Sequence, residues 1–294
     1  MIRRISRRIK VDASVLRGIG DDCAVLRGQG RRLHLFASDM LVEGVHFREE
    51  DPAEAIGWKA LAVNVSDIAA MGGLPRHAVI SLGLPRDRSV RFVDGLYRGL
   101  RRCAKQFGVN WVGGDTVRAA QVVIDVAILG EVERGRLLYR SGARPGDIVL
   151  VTGRLGGSLK SGRHLRFVPR LREARALTAQ VRLHALMDLS DGLGPDLKRM
   201  CEASGVSAVI EVARVPRNRG CSLSQALTDG EDFELLMTAS GTEARKLLRW
   251  AQARLPCGLH RIGRIIPKRK DRSLLLELPE GVRPPQSLEG FRHF

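Results

Sequence analysis

The chain is short of aromatic side chains, paired cysteines, long apolar runs and acidic residues. Aromatics are only 4% of 294 residues, so the core has to be built from Leu, Val, Ile and Ala. Its five cysteines, Cys23, Cys103, Cys201, Cys221 and Cys257, are odd in number and widely spaced, with no C-x-x-C pair. That argues against a disulfide scaffold or a zinc site and for a reducing cytoplasm. No apolar stretch reaches the roughly 20 residues that cross a bilayer, so no membrane association is expected. The basic start, M-I-R-R-I-S-R-R-I-K, leads into no apolar h-region, so a secretory signal is not expected. Familiar catalytic signatures are missing too. There is no P-loop, since Gly156–Ser161 carries some of its letters at the wrong spacing. The kinase H-R-D and D-F-G triplets, the G-x-S-x-G elbow and H-E-x-x-H are also absent.

Acid is outnumbered by base, 32 to 49, for a net charge of +17. One reading is a nucleic-acid partner. The basic residues, however, are spread through helices and loops, with no interleaved aromatics on which bases would stack. Nucleic-acid binding is therefore the rival reading. A basic surface also steers polyphosphate substrates.

The length suits two domains, and 44% hydrophobic residues suit a globular chain. Strand-like and helix-like segments alternate. Strands are expected over Leu33–Asp39, Val79–Leu84, Val109–Val112 and Val122–Leu129, the last two flanking a turn at G-G-D-T. A helix over Pro52–Met71 has one apolar stripe, Trp58, Leu61, Val65 and Ile68, with Asn64 and Asp67 on another face. A second helix runs over Ser89–Phe107, and Gly108 ends it. A Gly- and Pro-punctuated seam at Ser141–Asp147 divides an N-terminal domain, 1–140, from a C-terminal one, 141–294. The second half reads as strands over Ile148–Thr152, Ala208–Val212, Phe233–Thr238 and Leu274–Leu278, with helices over Leu193–Ala203 and Thr242–Leu255. Two related α+β domains are the expected architecture.

Seven aspartates stand out against this basic background: Asp21, Asp22, Asp39, Asp67, Asp115, Asp188 and Asp191. Each ends an apolar run or adjoins glycine, with no Lys or Arg within two residues. Taken singly, each has a bland reading as a turn, a strand-end cap, a solvated helix face or a helix cap. His46 alone reads as a satisfied buried imidazole, and G-E-D-F-E-L-L as a polar turn entering a strand. Together the aspartates point elsewhere. Carboxylates near a core are costly without partners, and oxygen-rich sets suit Mg²⁺, which keeps positions open for substrate phosphates. A magnesium-dependent, phosphate-handling enzyme is the expectation.

Seven motifs occur in one order: G-I-G-D-D-C-A-V-L, S-D-M-L-V-E-G-V-H-F, W-K-A-L-A-V-N-V-S-D-I-A-A-M-G-G-L-P, G-G-D-T, R-S-G-A-R-P-G-D, D-L-S-D-G-L and G-E-D-F-E-L-L. In this combination the chain resembles the thiamine-monophosphate kinase family of the PurM-like superfamily. The resemblance implies two PurM-like domains, the first bearing Mg/ATP binding and dimerisation, its sheet forming a shared barrel in a homodimer. It implies ATP-dependent phosphorylation of thiamine monophosphate to thiamine diphosphate, assisted by several Mg²⁺ ions. On matching positions, Asp22, Ser38, Asp39, Asp67, Asp115, Asp188 and Asp191 would bind magnesium. Gly114, Asp115, Arg140 and Ser190 would contact ATP, and His46, Glu231 and Phe291 the thiamine phosphate. Asp67, Asp115, Arg140 and Asp191 would form the catalytic group. Another ATP-using PurM-like synthase acting on a small metabolite is the nearest alternative. The segment Thr152–Leu186 is shorter than the family usually has, and Ala37 stands where relatives often carry a hydroxyl.

Overall fold

The computed structural model describes residues 9–270, 272–279, 288 and 290. The chain divides into two compact units between Leu137 and Leu138. Both are α+β, each built on one six-stranded mixed sheet.

The first unit runs β1 (Val15–Arg17), β2 (Ala24–Arg27), β3 (Arg32–Val42), α1 (Ala53–Ala70), β4 (Leu74–Leu84), α2 (Val90–Phe107), β5 (Asn110–Arg118) and β6 (Val123–Glu133). The sheet order is β1-β2-β3-β6-β4-β5, with only β4 and β5 parallel. Alternation along β3 and β6 sends Leu33, Leu35, Leu41, Ile124, Val126 and Ile128 inward, where α1 packs. The opposite face keeps Phe36, Met40, Val79 and Val117 between 41% and 57% exposed.

The expected single stripe on α1 is not what the structure shows. The helix is buried around nearly its whole circumference, Asn64 and Lys59 included. It lies between the sheet and α2, so both of its sides are covered. The two helices meet through glycine: a Cβ on Gly57 would overlap the Leu96 carbonyl, and one on Gly99 the Glu54 carbonyl. Ser89 Oγ caps α2 by accepting the Phe92 N–H (3.2 Å), and Gly108, at φ +68°, ends it.

The G-G-D-T turn is also corrected. Gly113–Thr116 lies inside β5, which pairs with β4 on both sides of one register shift at Ala78/Val79 and puts Ser81 opposite Asp115. Gly114 is required there because any side chain would enter the Ile80 backbone.

The second unit contains β7 (Ile148–Thr152), α3 (Leu171–Gln180), β8 (Ala185–Asp188), α4 (Leu193–Ser204), β9 (Ser207–Glu211), α5 (Leu223–Thr228), β10 (Leu235–Ala239), α6 (Gly241–Arg254), β11 (Leu259–Ile266) and β12 (Leu274–Glu277). Its order is β12-β9-β11-β7-β10-β8, and only β12 and β9 are parallel. β8 and β10 are buried at every position, and β7 and β9 at all but one, as a sheet covered on both faces requires. α4 packs on β8, β9 and β12, and α6 on β7, β10 and β11. β10 begins two residues later than the expected strand, because Glu231 and Phe233 adopt positive φ. Among the described residues no helix is long and apolar enough to cross a membrane.

The glycine contact between α1 and α2 yields a test. Gly99→Ala gains up to about 1 kcal/mol of helix propensity, but overpacking against a backbone that cannot yield costs typically about 1–3 kcal/mol. Chemical denaturation is expected to show net destabilisation; a more stable variant would refute the close approach.

Candidate active site

In the first unit the β1–β2 connection carries Asp21 and Asp22, and α1 carries Asp67 in its last turn. Asp21 turns to Arg17 (Nε–Oδ2, 3.5 Å). Asp22 and Asp67 instead each present a carboxylate oxygen, and these atoms lie within 4.8 Å of one another. The last turn of α1 holds no basic residue, so Asp67 also sits at the negative end of the helix dipole. Both features favour a cation.

Three ties hold this arrangement. Cys23 N–H donates to Met71 Sδ (3.1 Å), fastening the Asp22 loop to the end of α1. Asp39 N–H donates to Asn64 Oδ1 (3.2 Å), and Asn64 Nδ2 donates to the Ala60 carbonyl (3.1 Å), locking β3 to the helix. Neither Met71 nor Asn64 is singled out by sequence as a partner; their role depends on packing.

Strand register separates the expected ligands. Asp39 shares the inward face of β3 with Leu35 and Leu41, whereas Ser38 points outward, its hydroxyl donating to Asp125 Oδ1 (2.9 Å). Asp125 lies opposite Ser81, which lies opposite Asp115, so Asp115 belongs to that outward face as well. Ser38 and Asp115 therefore group with Asp125 rather than with Asp39. Gly114 precedes Asp115 in β5.

His46 sits in a closed loop after β3. Its Nδ1 accepts the Val42 N–H (3.0 Å), so in the neutral ring Nε2 is the N–H donor. The ammonium of Lys59, wholly buried on α1, donates to the His46 carbonyl (2.8 Å).

In the second unit Asp188 ends β8, and Ser190 and Asp191 follow in the turn into α4, with Gly192 at φ +113°. Asp196 Oδ2 accepts the N–H groups of Asp191 (2.9 Å) and Gly192 (3.1 Å), shaping that turn. Arg199 pairs with both Asp191 and Asp196. Burial opposes its charge, yet the two aspartates hold its pKa above the usual value. Asp191 thus has a cationic partner eight residues away, which sequence proximity does not reveal. Arg140 stands close enough to Arg199 to oppose its charge.

Ser190 meets Glu231 directly: its carbonyl accepts the Glu231 N–H (2.6 Å). Glu231 and Phe233 adopt left-handed conformations, φ +55° and +50°, each costing on the order of 1–3 kcal/mol. Between them Asp232, 2% exposed, accepts the Gly156 N–H (3.0 Å) and meets Arg163. Burial pushes its pKa up to about 7, opposed by Arg163 and Gly156 and reinforced by Glu234 and Asp229. Phe291 lies outside the described residues.

Residues 20–132 match the AIR synthase related protein, N-terminal domain family, and residues 144–275 its C-terminal domain family. The thiamine-monophosphate kinase of Rhodopirellula baltica is 39% identical over 246 residues, covering 77% of each chain. That of Bacillus subtilis is 35% identical over 304 residues, covering 94% of this chain and 93% of its own. A solved structure described as AaThiL complexed with AMPPCP and TMP superposes with a TM-score of 0.84 at 31% identity. It covers 100% of this chain and 95% of that one.

Asp232 gives the site a pH signature. A buried acid with a raised pKa adds stability at low pH, and that contribution is lost as pH rises from the usual carboxylate range through about 7. The unfolding free energy of Asp232→Asn relative to the parent, from chemical denaturation, is therefore expected to climb between pH 5 and 7, by up to about 1.4 kcal/mol per pH unit. A constant difference would refute the raised value.

Proposed function

The chain belongs to the thiamine-monophosphate kinase family, and from that premise we infer that it transfers the γ-phosphoryl group of ATP to thiamine monophosphate, forming thiamine diphosphate. The observation that carries this reading is the convergence of Asp22 and Asp67 within 4.8 Å at the end of α1. The nearness of Ser190 to Glu231 in the second unit supports it.

The residues fit divalent cations. Two close carboxylates with no basic residue in the same helix turn are the donor set that Mg²⁺ takes, with positions left for substrate oxygens. Asp22, Asp39 and Asp67 would hold Mg²⁺ from the first unit, and Asp188 and Asp191 from the second, Arg199 giving way to the cation at Asp191. Ser38 and Asp115 join as ligands from the outward face, beside Asp125. When bound, the ions neutralise charge on the donor and acceptor phosphates.

The protein's own share is positioning. Phosphoryl transfer needs in-line placement and charge neutralisation more than covalent chemistry. Gly114, Asp115 and Ser190 contact the nucleotide, and Arg140 supplies positive charge to its phosphates. His46 offers Nε2–H as a donor to the thiamine phosphate, and Glu231 and Phe291 also contact that substrate. Transfer is direct, with no phospho-enzyme; isolation of a phosphorylated aspartate or histidine during turnover would contradict this.

The chain works as a homodimer through residues 1–140. The sheet of its first unit leaves Phe36, Met40, Val79 and Val117 exposed on one face. A second copy covering that face, with the two sheets forming a shared barrel, would remove an apolar patch that a monomer rarely keeps. A reaction consuming ATP belongs in the cytoplasm, which five free thiols suit.

Two tests follow. With ATP, Mg²⁺ and thiamine monophosphate the protein is expected to form thiamine diphosphate, and to leave thiamine and aminoimidazole precursors untouched. Asp67→Asn is expected to lower turnover by a factor on the order of 10³ without a fall in melting temperature; full activity would refute the metal assignment. Light scattering is expected to give twice 32.4 kDa, and Met40→Asp to shift the mass toward the monomer. A parent protein already monomeric at assay concentration would overturn the dimer.

A further inference from the structure

The segment Arg154–Arg170 takes no part in the chemistry described so far, yet its side chains close around the most strained turn of the described chain. Among the described residues, Glu231 and Phe233 are the only non-glycine positions with positive φ. Ser158, fully buried, donates its hydroxyl to the Glu231 carbonyl (2.6 Å). Arg163, in a short 3-10 turn, pairs with Asp232, whose carboxylate also takes the Gly156 N–H. The Phe167 ring stacks on Phe233 with centroids 4.0 Å apart and planes 14° from parallel. Three consecutive residues of the turn are thus each gripped by a different side chain of one segment. On the other side, the Ser190 carbonyl holds the Glu231 N–H.

A left-handed glutamate persists only where its surroundings over-determine it. Were the grip released, φ at Glu231 would relax to negative values and its carboxylate would swing to a new direction. A sub-ångström misplacement of a binding group is enough to weaken what it binds. We propose that Ser158, Arg163 and Phe167 are positioning residues that hold the strained turn so that Glu231 meets thiamine monophosphate, and that this segment sets affinity for the acceptor independently of ATP. The inference rests on Glu231 being an acceptor-binding residue, as given under the proposed function.

Steady-state kinetics of Ser158→Ala and Arg163→Met, varying each substrate with the other saturating, tests it. KM for thiamine monophosphate is expected to rise about tenfold while KM for ATP stays within about twofold. Arg163→Lys keeps the charge but not the planar fork, and is expected to fall between the parent and Arg163→Met. A general loss of structure would move both KM values together, or kcat alone, and either result overturns the proposal, as do two unchanged KM values. Should Arg163→Met fail to fold, Ser158→Ala, which removes a single oxygen, decides on the same criteria. A parent enzyme inactive on thiamine monophosphate would count against the reaction itself. An unchanged KM for thiamine monophosphate in Glu231→Gln would count against the role of Glu231. Both also overturn the proposal, and they are distinguishable from each other.

Discussion

Two carboxylate oxygens within 4.8 Å of each other repel by roughly 3–4 kcal/mol at an effective dielectric constant of about 20. Much of the first unit is arranged to keep them there. The Met71 thioether holds the Asp22 loop against the end of α1, and the buried Asn64 amide locks the same helix to the strand bearing Asp39. α1 can serve as this rigid post because it is enclosed on both sides, by the sheet and by a helix approaching closely enough to need glycine. A divalent cation between the charges would offset that repulsion, and the proposed transfer between two anionic phosphates would use its charge.

Legibility in the sequence followed the range of the interaction. The α+β alternation, both long helices of the first unit, and β7 to the residue were readable, because periodicity and capping residues are local signals. The aspartates were readable as a set because none has a basic neighbour in sequence. Their sorting was not. Strand register sends Ser38 and Asp39 to opposite faces, and it puts Asp115 with Ser81 and Asp125. The partnership of Asp191 with Arg199 depends on one turn and two windings of helix. G-G-D-T looked like a turn because glycine usually marks one; here glycine answers the Ile80 backbone of a parallel neighbour. Short or polar-rich elements, such as β8 and β11 with its His260, Arg261 and Arg264, gave no periodic signal. The apolar pattern that begins at Phe233 overruns the start of β10 at Leu235, because backbone strain at Glu231 and Phe233 has no signature in residue type.

The two sheets solve different problems with related architecture. That of the second unit is covered on both faces, which explains its continuous apolar strands and leaves buried acid and strained backbone to its turns, at Ser190–Asp191 and Asp229–Glu234. That of the first unit is covered on one face only, and its other face combines exposed apolar side chains with the Ser38, Ser81, Asp115 and Asp125 group. In the second unit strain and charge are therefore concentrated in the turns, where the surrounding packing can hold them, whereas in the first the Ser38 and Asp115 group lies within the strands.

The most direct test of the paired-carboxylate account is thermal denaturation of the parent and Asp22→Asn with chelator and with excess Mg²⁺. If the two charges repel until a cation joins them, the parent melts at a higher temperature with Mg²⁺. Asp22→Asn then matches or exceeds the parent in chelator and gains far less from the metal. A parent indifferent to Mg²⁺, or a variant less stable than the parent in chelator, would contradict it.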